Sequence, residues 1–210
     1  MMSVQQAYNE WAATYDADRN LTRDLDAQIT RETLDGRQHD IILELGCGTG
    51  KNTPFLAQIG ARILALDFSE SMLRRAQAKF YPVPTAFALA DLTQPLPCAG
   101  ARADLVTCNL VLEHLADLDA IFAQVARVLA PGGHFFVCEL HPFRQYMGGK
   151  AVFQREQTPA EMPAFVHHIS AFVAAGQQAG LTLLHLGEHW HADDAGKAPR
   201  LISLLFERSR

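Results

Sequence analysis

Short apolar runs alternate along this chain with segments of helical period, and the alternation sets its plan. Apolar runs place strands near Asp40–Leu45, Arg62–Asp67, Val83–Leu89, Ala103–Asn109, His134–Leu140, Leu181–Glu188 and Leu201–Glu207. Asp117–Leu129 has the clearest amphipathic spacing, with Leu118, Ile121, Phe122, Val125, Val128 and Leu129 on one face. Helices are also predicted within 3–34, where charges are many and β-branched residues few, over Asn52–Ile59, from an N-cap at Ser69 to Lys79, and over Pro159–Ala179. Arg144–Thr158 has no period and reads as an inserted lid or loop, and the polar His189–Arg200 connection is expected to be exposed. Strands alternating with helices imply a parallel sheet covered on both faces. The last two strands have no helix between them and should pair antiparallel. The plan is one α/β domain over 1–210, with a helical lid at 1–35 and a substrate-side insertion at 141–180.

Chemistry concentrates where the first strand ends. Glu44-Leu45-Gly46-Cys47-Gly48-Thr49-Gly50 follows Ile41-Ile42-Leu43, and the next apolar run, Ile63–Leu66, ends in Asp67. A strand, a glycine turn, a helix and a second strand tipped by a carboxylate build a nucleoside crevice at the carboxyl ends of parallel strands. Glycines permit positive φ and let a ligand approach bare backbone. A carboxylate at Asp67 can accept from both hydroxyls of a ribose. The spacing is G-x-G-x-G with Lys51 at the sixth position, not the dinucleotide G-x-G-x-x-G. Glu44, Asp67 and Asp91 end successive apolar segments, and three carboxylates would repel a pyrophosphate. They suit a cationic nucleoside without phosphate, such as S-adenosylmethionine.

At these residues the chain resembles a class I S-adenosylmethionine-dependent methyltransferase of the small-molecule, type 11 branch. That branch includes the ubiquinone/menaquinone and biotin-pathway methylases. The resemblance covers Tyr8-Asn9-Glu10-Trp11-Ala12-Ala13-Thr14-Tyr15-Asp16, the glycine motif, Leu66–Leu73, Ala90-Asp91-Leu92, Asp104-Leu105-Val106, Leu112-Glu113-His114-Leu115 and Leu129–Gly133. It implies a Rossmann-like, seven-stranded, mostly parallel sheet with a reversed final strand. It also implies roles. Gly46, Cys47, Gly48 and Gly50 bring backbone to the methionine and ribose, and Glu44 accepts the ammonium, unless it serves a salt bridge. Asp67 holds the ribose. Phe68 and Met72 wall the adenine or are plain core. Asp91 accepts from the adenine amino group, with the Leu92 N–H on a ring nitrogen, or caps a turn. Asn109 faces the methionine end, and His114, in the Glu-His-Leu motif after the fourth strand, is a further cofactor-site candidate that could take a proton near neutral pH. Tyr8 and Tyr15 lie in a segment that closes over the cofactor in the resembling enzymes; Tyr15 could orient the nucleophile, or both could pack the helix on the sheet.

The acceptor side is less defined. Seven of nine histidines follow Gly133. His141 follows the fifth strand and His168 opens the late helix, so both are candidates to hold or deprotonate an acceptor, against the alternative of structural histidines. Arg144 could fork onto an acceptor carboxylate or stand as an exposed loop arginine. The expected reaction is in-line methyl transfer to a small molecule through an N, O, S or activated C nucleophile, leaving S-adenosylhomocysteine. The alternatives are a non-catalytic subunit that binds either nucleoside and, disfavoured by the carboxylates, an NAD-dependent oxidoreductase.

Composition narrows the partners. Net charge is −5 with no basic block, which disfavours nucleic acid. Cys47, Cys98, Cys108 and Cys138 form no C-x-x-C pair, so neither metal nor disulfide is expected. The first residues carry neither a cationic head nor an apolar core, and no run spans a bilayer. A cytoplasmic monomer or homodimer is the resulting expectation.

Overall fold

The computed structural model describes residues 3–148, 152–154, 159–161 and 164–210. Its elements are α1 (Val4–Trp11), α2 (Leu21–Leu34), β1 (His39–Leu45), α3 (Thr53–Ile59), β2 (Gly60–Asp67), α4 (Glu70–Gln77), β3 (Thr85–Leu89), β4 (Ala103–Asn109), α5 (Leu118–Val128), β5 (Leu129–Leu140), α6 (Pro142–Tyr146), β6 (Val152–Gln154), β7 (Pro159–Glu161), α7 (Ile169–Gln178), β8 (Leu181–His189) and β9 (Leu201–Arg208). Single 3₁₀ turns lie at Leu112–His114 and Ala192–Asp194.

Seven strands form one sheet in the order β3-β2-β1-β4-β5-β9-β8. The first five are parallel, and β9 runs antiparallel to both β5 and β8. This is the Rossmann-like sheet with one reversed strand. Its two faces carry separate apolar cores. One joins α5 and α7 to Val106, Phe135 and Phe206; the other joins α2 and α3 to Ile42, Leu105 and Phe136. The first is locked by edge-to-face rings, Phe122 lying 5.1 Å from Phe135 and 5.6 Å from Phe206. Each such buried side chain contributes about 1.5–3 kcal/mol.

Local signals explain the helix starts. Asp117 accepts from the Ala120 N–H and Ser69 from the Met72 N–H, each satisfying an orphan donor of the first turn. Ser3 and Gln6 close a reciprocal capping box at α1.

Three expectations are corrected. The late helix begins at Ile169, not Pro159: residues 159–161 pair antiparallel with 152–154. A helix begun at Pro159 would place Pro163 where an amide donor is needed. α5 stops at Val128, and β5 starts at once and runs through Pro131-Gly132-Gly133, with a register shift opposite Ala103–Leu105. The 189–200 connection is not wholly exposed, because Asp194 in it is fully buried. Part of the aperiodic 144–158 segment lies outside the described residues. Among the described residues no helix is long and apolar enough to cross a membrane.

Candidate cofactor site

The strand order reverses between β1 and β4, and a cavity opens there at their carboxyl ends, where such sheets bind ligands. It encloses about 1070 Å³ including its open mouth. The turn after β1 forms one wall. Gly46 has φ +68°, and a Cβ there would lie 2.2 Å from Val111 Cγ2, so glycine is required by both backbone and space. The Gly46 and Cys47 amides bond the Leu66 carbonyl, at 2.8 and 3.0 Å, tying this turn to the end of β2.

Asp67 stands between the two. Its Oδ2 accepts the Gly48 N–H and its Oδ1 the Ser69 N–H, both at 2.8 Å. Each carboxylate oxygen has a second lone pair, so Asp67 can brace the turn and still accept two ribose hydroxyls. Burial raises its carboxyl above the usual range despite these bonds. Glu44 is 5% exposed and accepts the Thr53 hydroxyl at 2.6 Å. Burial first, then the nearby Asp26 and Asp67, push its carboxyl up to about 8. Among the described residues no salt bridge engages it.

Sequence reasoning missed two residues of α2. Arg23 and Asp26 line the cavity and are 6% and 4% exposed. Asp26 accepts from Asn109 Nδ2 at 2.6 Å and Asn52 Nδ2 at 2.9 Å, and burial raises its carboxyl. The Arg23 guanidinium donates to the Tyr15 and Asp18 carbonyls and lies 3.9 Å from the Tyr15 ring centroid, while its buried Nε has no hydrogen-bond partner among the described residues. The signal was present: Arg23, Asp26 and Thr30 follow helical spacing next to the apolar stripe of Leu25, Ile29 and Leu34.

The N-terminal segment roofs the cavity. Tyr8 and Tyr15 line it, and the Tyr8 hydroxyl meets His114 Nε2 at 3.0 Å. Contacts with the cofactor side pin this roof: Gln5 donates to the Phe68 carbonyl, Ser69 Oγ to Asn9 Oδ1, and Thr49 Oγ1 to Asp16 Oδ1. Phe68, Leu92, Asn109 and Asp91 also line the cavity. Asp91 caps its own turn as well, Oδ1 accepting the Thr93 N–H and hydroxyl.

Five expected site residues lie elsewhere. Met72 is fully buried core beneath the Ser69 cap and does not line the cavity. Gly50 faces Tyr81, Ala76 and Thr53 rather than the ligand space. His141 caps α6: its Nδ1 accepts the Phe143 N–H at 3.1 Å, so its proton sits on Nε2, toward Glu188 Oε1 at 2.8 Å. Both ring nitrogens are thus hydrogen-bonded within the protein, away from the cavity. His168 is exposed beside the Tyr146 hydroxyl, in a shallow separate cleft that includes His141. Arg144 does not reach for a ligand; it forks onto Asp194 at 3.0 and 3.2 Å. Arg200 forks onto the same carboxylate at 2.7 Å twice, and the two guanidinia hold its carboxyl well below the usual range.

The residues present fit S-adenosylmethionine: bare backbone at the glycine turn, buried carboxylates for its cationic groups, and an unpartnered guanidine N–H for its carboxylate. Comparison with known proteins agrees. Residues 43–137 match the family model described as a methyltransferase domain. An uncharacterized methyltransferase of Emericella nidulans is 28% identical over 251 residues, covering 98% of this chain and 85% of that protein. A malonyl-[acyl-carrier protein] O-methyltransferase of Hahella chejuensis is 32% identical over 178 residues, covering 84% of this chain and 60% of that protein. An S-adenosylmethionine-dependent methyltransferase of Mesorhizobium loti shares the fold with a TM-score of 0.74 at 22% identity, over 89% of this chain and 100% of that one. An N-methyltransferase of Bradyrhizobium japonicum, solved with S-adenosyl-L-homocysteine, shares it with a TM-score of 0.67 at 18% identity, over 92% and 90%. Fold, cavity chemistry and sequence kinship converge: residues 43–137 match a methyltransferase domain, and the relatives and structural neighbours are methyltransferases.

Proposed function

We propose that this protein transfers a methyl group to a small-molecule acceptor in the cavity at the β1–β4 switch point. The observation that carries this reading is the set of buried carboxylates there, Asp26, Glu44 and Asp67, none of which forms a salt bridge with another described residue. Burying charge without a counter-ion costs several kcal/mol, a cost expected where a ligand brings the opposite charge. S-adenosylmethionine supplies, when bound, an electrophilic methyl on a cationic sulfur.

The chain's own residues then do the following. Asp67 accepts the ribose hydroxyls while holding the Gly48 amide in place. Glu44 takes the ammonium, and Arg23 Nε donates to the carboxylate of the methionine moiety. Asp91, Leu92 and Phe68 flank the adenine. Tyr8 and Tyr15 exclude water from above, which favours a reaction that disperses charge. Acceleration comes mainly from alignment, worth effective molarities up to ~10⁵–10⁸ M in well-oriented systems. If the nucleophile carries a proton, the Tyr8–His114 pair is the proton acceptor within the cavity. We assign the role to this pair because His141 and His168 do not line the cavity.

The test is a screen with methyl-labelled S-adenosylmethionine across carboxylic acids, amines, quinols and acyl thioesters. Label should move to one class and not move with the Asp67→Ala variant. Wild-type protein that binds S-adenosylmethionine and methylates none of the four would favour the non-catalytic binding subunit.

A further inference from the structure

Resting on that cofactor reading, we infer that Arg23 makes closure of the N-terminal lid, residues 4–18, conditional on the carboxylate of the bound nucleoside. Arg23 is a buried cation on α2 that lines the cavity. Among the described residues no carboxylate forms an ion pair with it. Its Nε is buried as well and has no hydrogen-bond partner there. Taking a charge out of water is costly unless an opposite charge meets it.

The same guanidinium grips the lid. Its terminal nitrogens donate to the Tyr15 and Asp18 carbonyls. Its central carbon lies 3.9 Å from the Tyr15 ring centroid and 5.5 Å from that of Trp11. Trp11 Nε1 and Thr14 Oγ1 both donate to Asp18 Oδ2, at 3.0 and 3.2 Å, so the turn that Arg23 holds is tied back to the end of α1. The lid has its own small apolar cluster, Ala7 and Trp11 with Val4, Tyr8 and Tyr15 packed around them. A cluster of this size, separate from the two main cores, can open as a unit while the sheet stays folded.

A carboxylate that enters the cavity has one partner there. Asp26, Glu44 and Asp67 repel it. Of the cationic side chains that line the cavity, Lys51 is engaged by Asp24 and His114 meets the Tyr8 hydroxyl. Arg23 remains. A guanidinium presents five N–H donors in a fixed fork, so one such group can hold two lid carbonyls and a ligand carboxylate at once. With the carboxylate present, the lid closes over a balanced ion pair. Without it, the lid closes over an unbalanced charge, and its hold is weaker. A nucleoside that lacks the amino-acid carboxylate thus fills the cavity and leaves the lid loose.

The experiment is hydrogen–deuterium exchange of wild type and Arg23→Lys, each saturated with S-adenosylmethionine or with decarboxylated S-adenosylmethionine, and calorimetry of the same four pairs. The two ligands differ by the carboxylate alone. In wild type, S-adenosylmethionine should bind about tenfold to 100-fold tighter and should slow exchange across residues 4–18 by about tenfold or more beyond the decarboxylated compound. Arg23→Lys keeps a charge for the carboxylate but loses the fork. It should still bind S-adenosylmethionine, with lid exchange now the same for both ligands. Equal protection of the wild-type lid by the two saturating ligands overturns the inference, and that comparison stands even if Arg23→Lys does not fold. An Arg23→Lys variant that keeps the full carboxylate-dependent protection overturns it too. Binding of neither compound by wild type overturns the cofactor reading itself.

Discussion

The carboxyl-terminal rim of this sheet has two halves that look alike in sequence and differ in structure. On the β1–β4 side, polar side chains keep hydrogen-bonding capacity in reserve: Asp67 uses one lone pair per oxygen, Glu44 bonds a single hydroxyl, and Arg23 Nε has no partner among the described residues. On the β5–β9 side, most polar side chains satisfy one another, although Glu139 Oε2 on β5 is buried without a partner among the described residues. Arg144 and Arg200 fork onto Asp194, His141 bridges Phe143 and Glu188, and His167 Nε2 donates to the Leu112 and Leu115 carbonyls. The first arrangement awaits a ligand; the second holds an insertion onto the sheet. Charge and position at the rim did not separate these cases. The accounting of donors and acceptors does.

The largest effect should come from breaking the self-satisfied side. Asp194→Ala leaves two guanidinia without their carboxylate and should destabilise the fold by about 3–5 kcal/mol, read by denaturant titration. A loss under about 1 kcal/mol, the worth of a surface pair, would erase the distinction between the two halves. Because the Asp194 carboxyl is held below its unfolded range, its contribution is present above the unfolded pKa of about 3.9 and is lost as pH falls below it.

Breaking the ligand-ready side should act on binding first. Asp67→Ala removes two charge-assisted acceptors for the ribose and should weaken S-adenosylmethionine about 100-fold or more. It should also lower apo stability by about 1–3 kcal/mol, since Asp67 braces Gly48 and Ser69. Calorimetry and melting of the same variant give both numbers. His141→Ala comes next: two lost hydrogen bonds should cost about 1–2 kcal/mol of stability and leave cofactor affinity unchanged. A stable variant with abolished turnover would instead return His141 to the reaction.

The smallest effect is a pH dependence of cofactor binding. Glu44 stands at about 8 in the free cavity, facing Thr53 on α3, Asp26 on α2, Asp67 on β2 and Lys79 after α4. A bound ammonium lowers it, so the complex holds fewer protons than the free protein. Affinity should therefore be highest above pH 8 and fall below it, by at most about tenfold per pH unit for one proton. Dissociation constants measured from pH 6.5 to 8.5 that do not change would remove Glu44 as the ammonium partner.

Much of the ligand-ready half was legible in the sequence because backbone builds it. Gly46 needs positive φ, Asp67 ends an apolar run, and Ser69 caps the next helix. Such features leave local, order-dependent marks. Asp26 and Arg23 were not read because a polar residue on a helix looks solvated until its neighbours are known. The insertion was misread for a related reason. His141 and Arg144 find their partners 47 and 50 residues away, and no local spacing encodes such pairs. Met72 and Gly50 sit within the motif but face inward, toward core and Tyr81.

The central claim is that unfilled hydrogen-bonding capacity at the β1–β4 rim marks the ligand. Thermal melting of wild type with S-adenosylmethionine, S-adenosylhomocysteine and NAD, each at saturating concentration, tests it most directly. A ligand at about 100 times its dissociation constant adds about 2.7 kcal/mol, a rise of several degrees. The account predicts that rise with the two adenosyl amino acids and none with NAD. A response to NAD alone would contradict it.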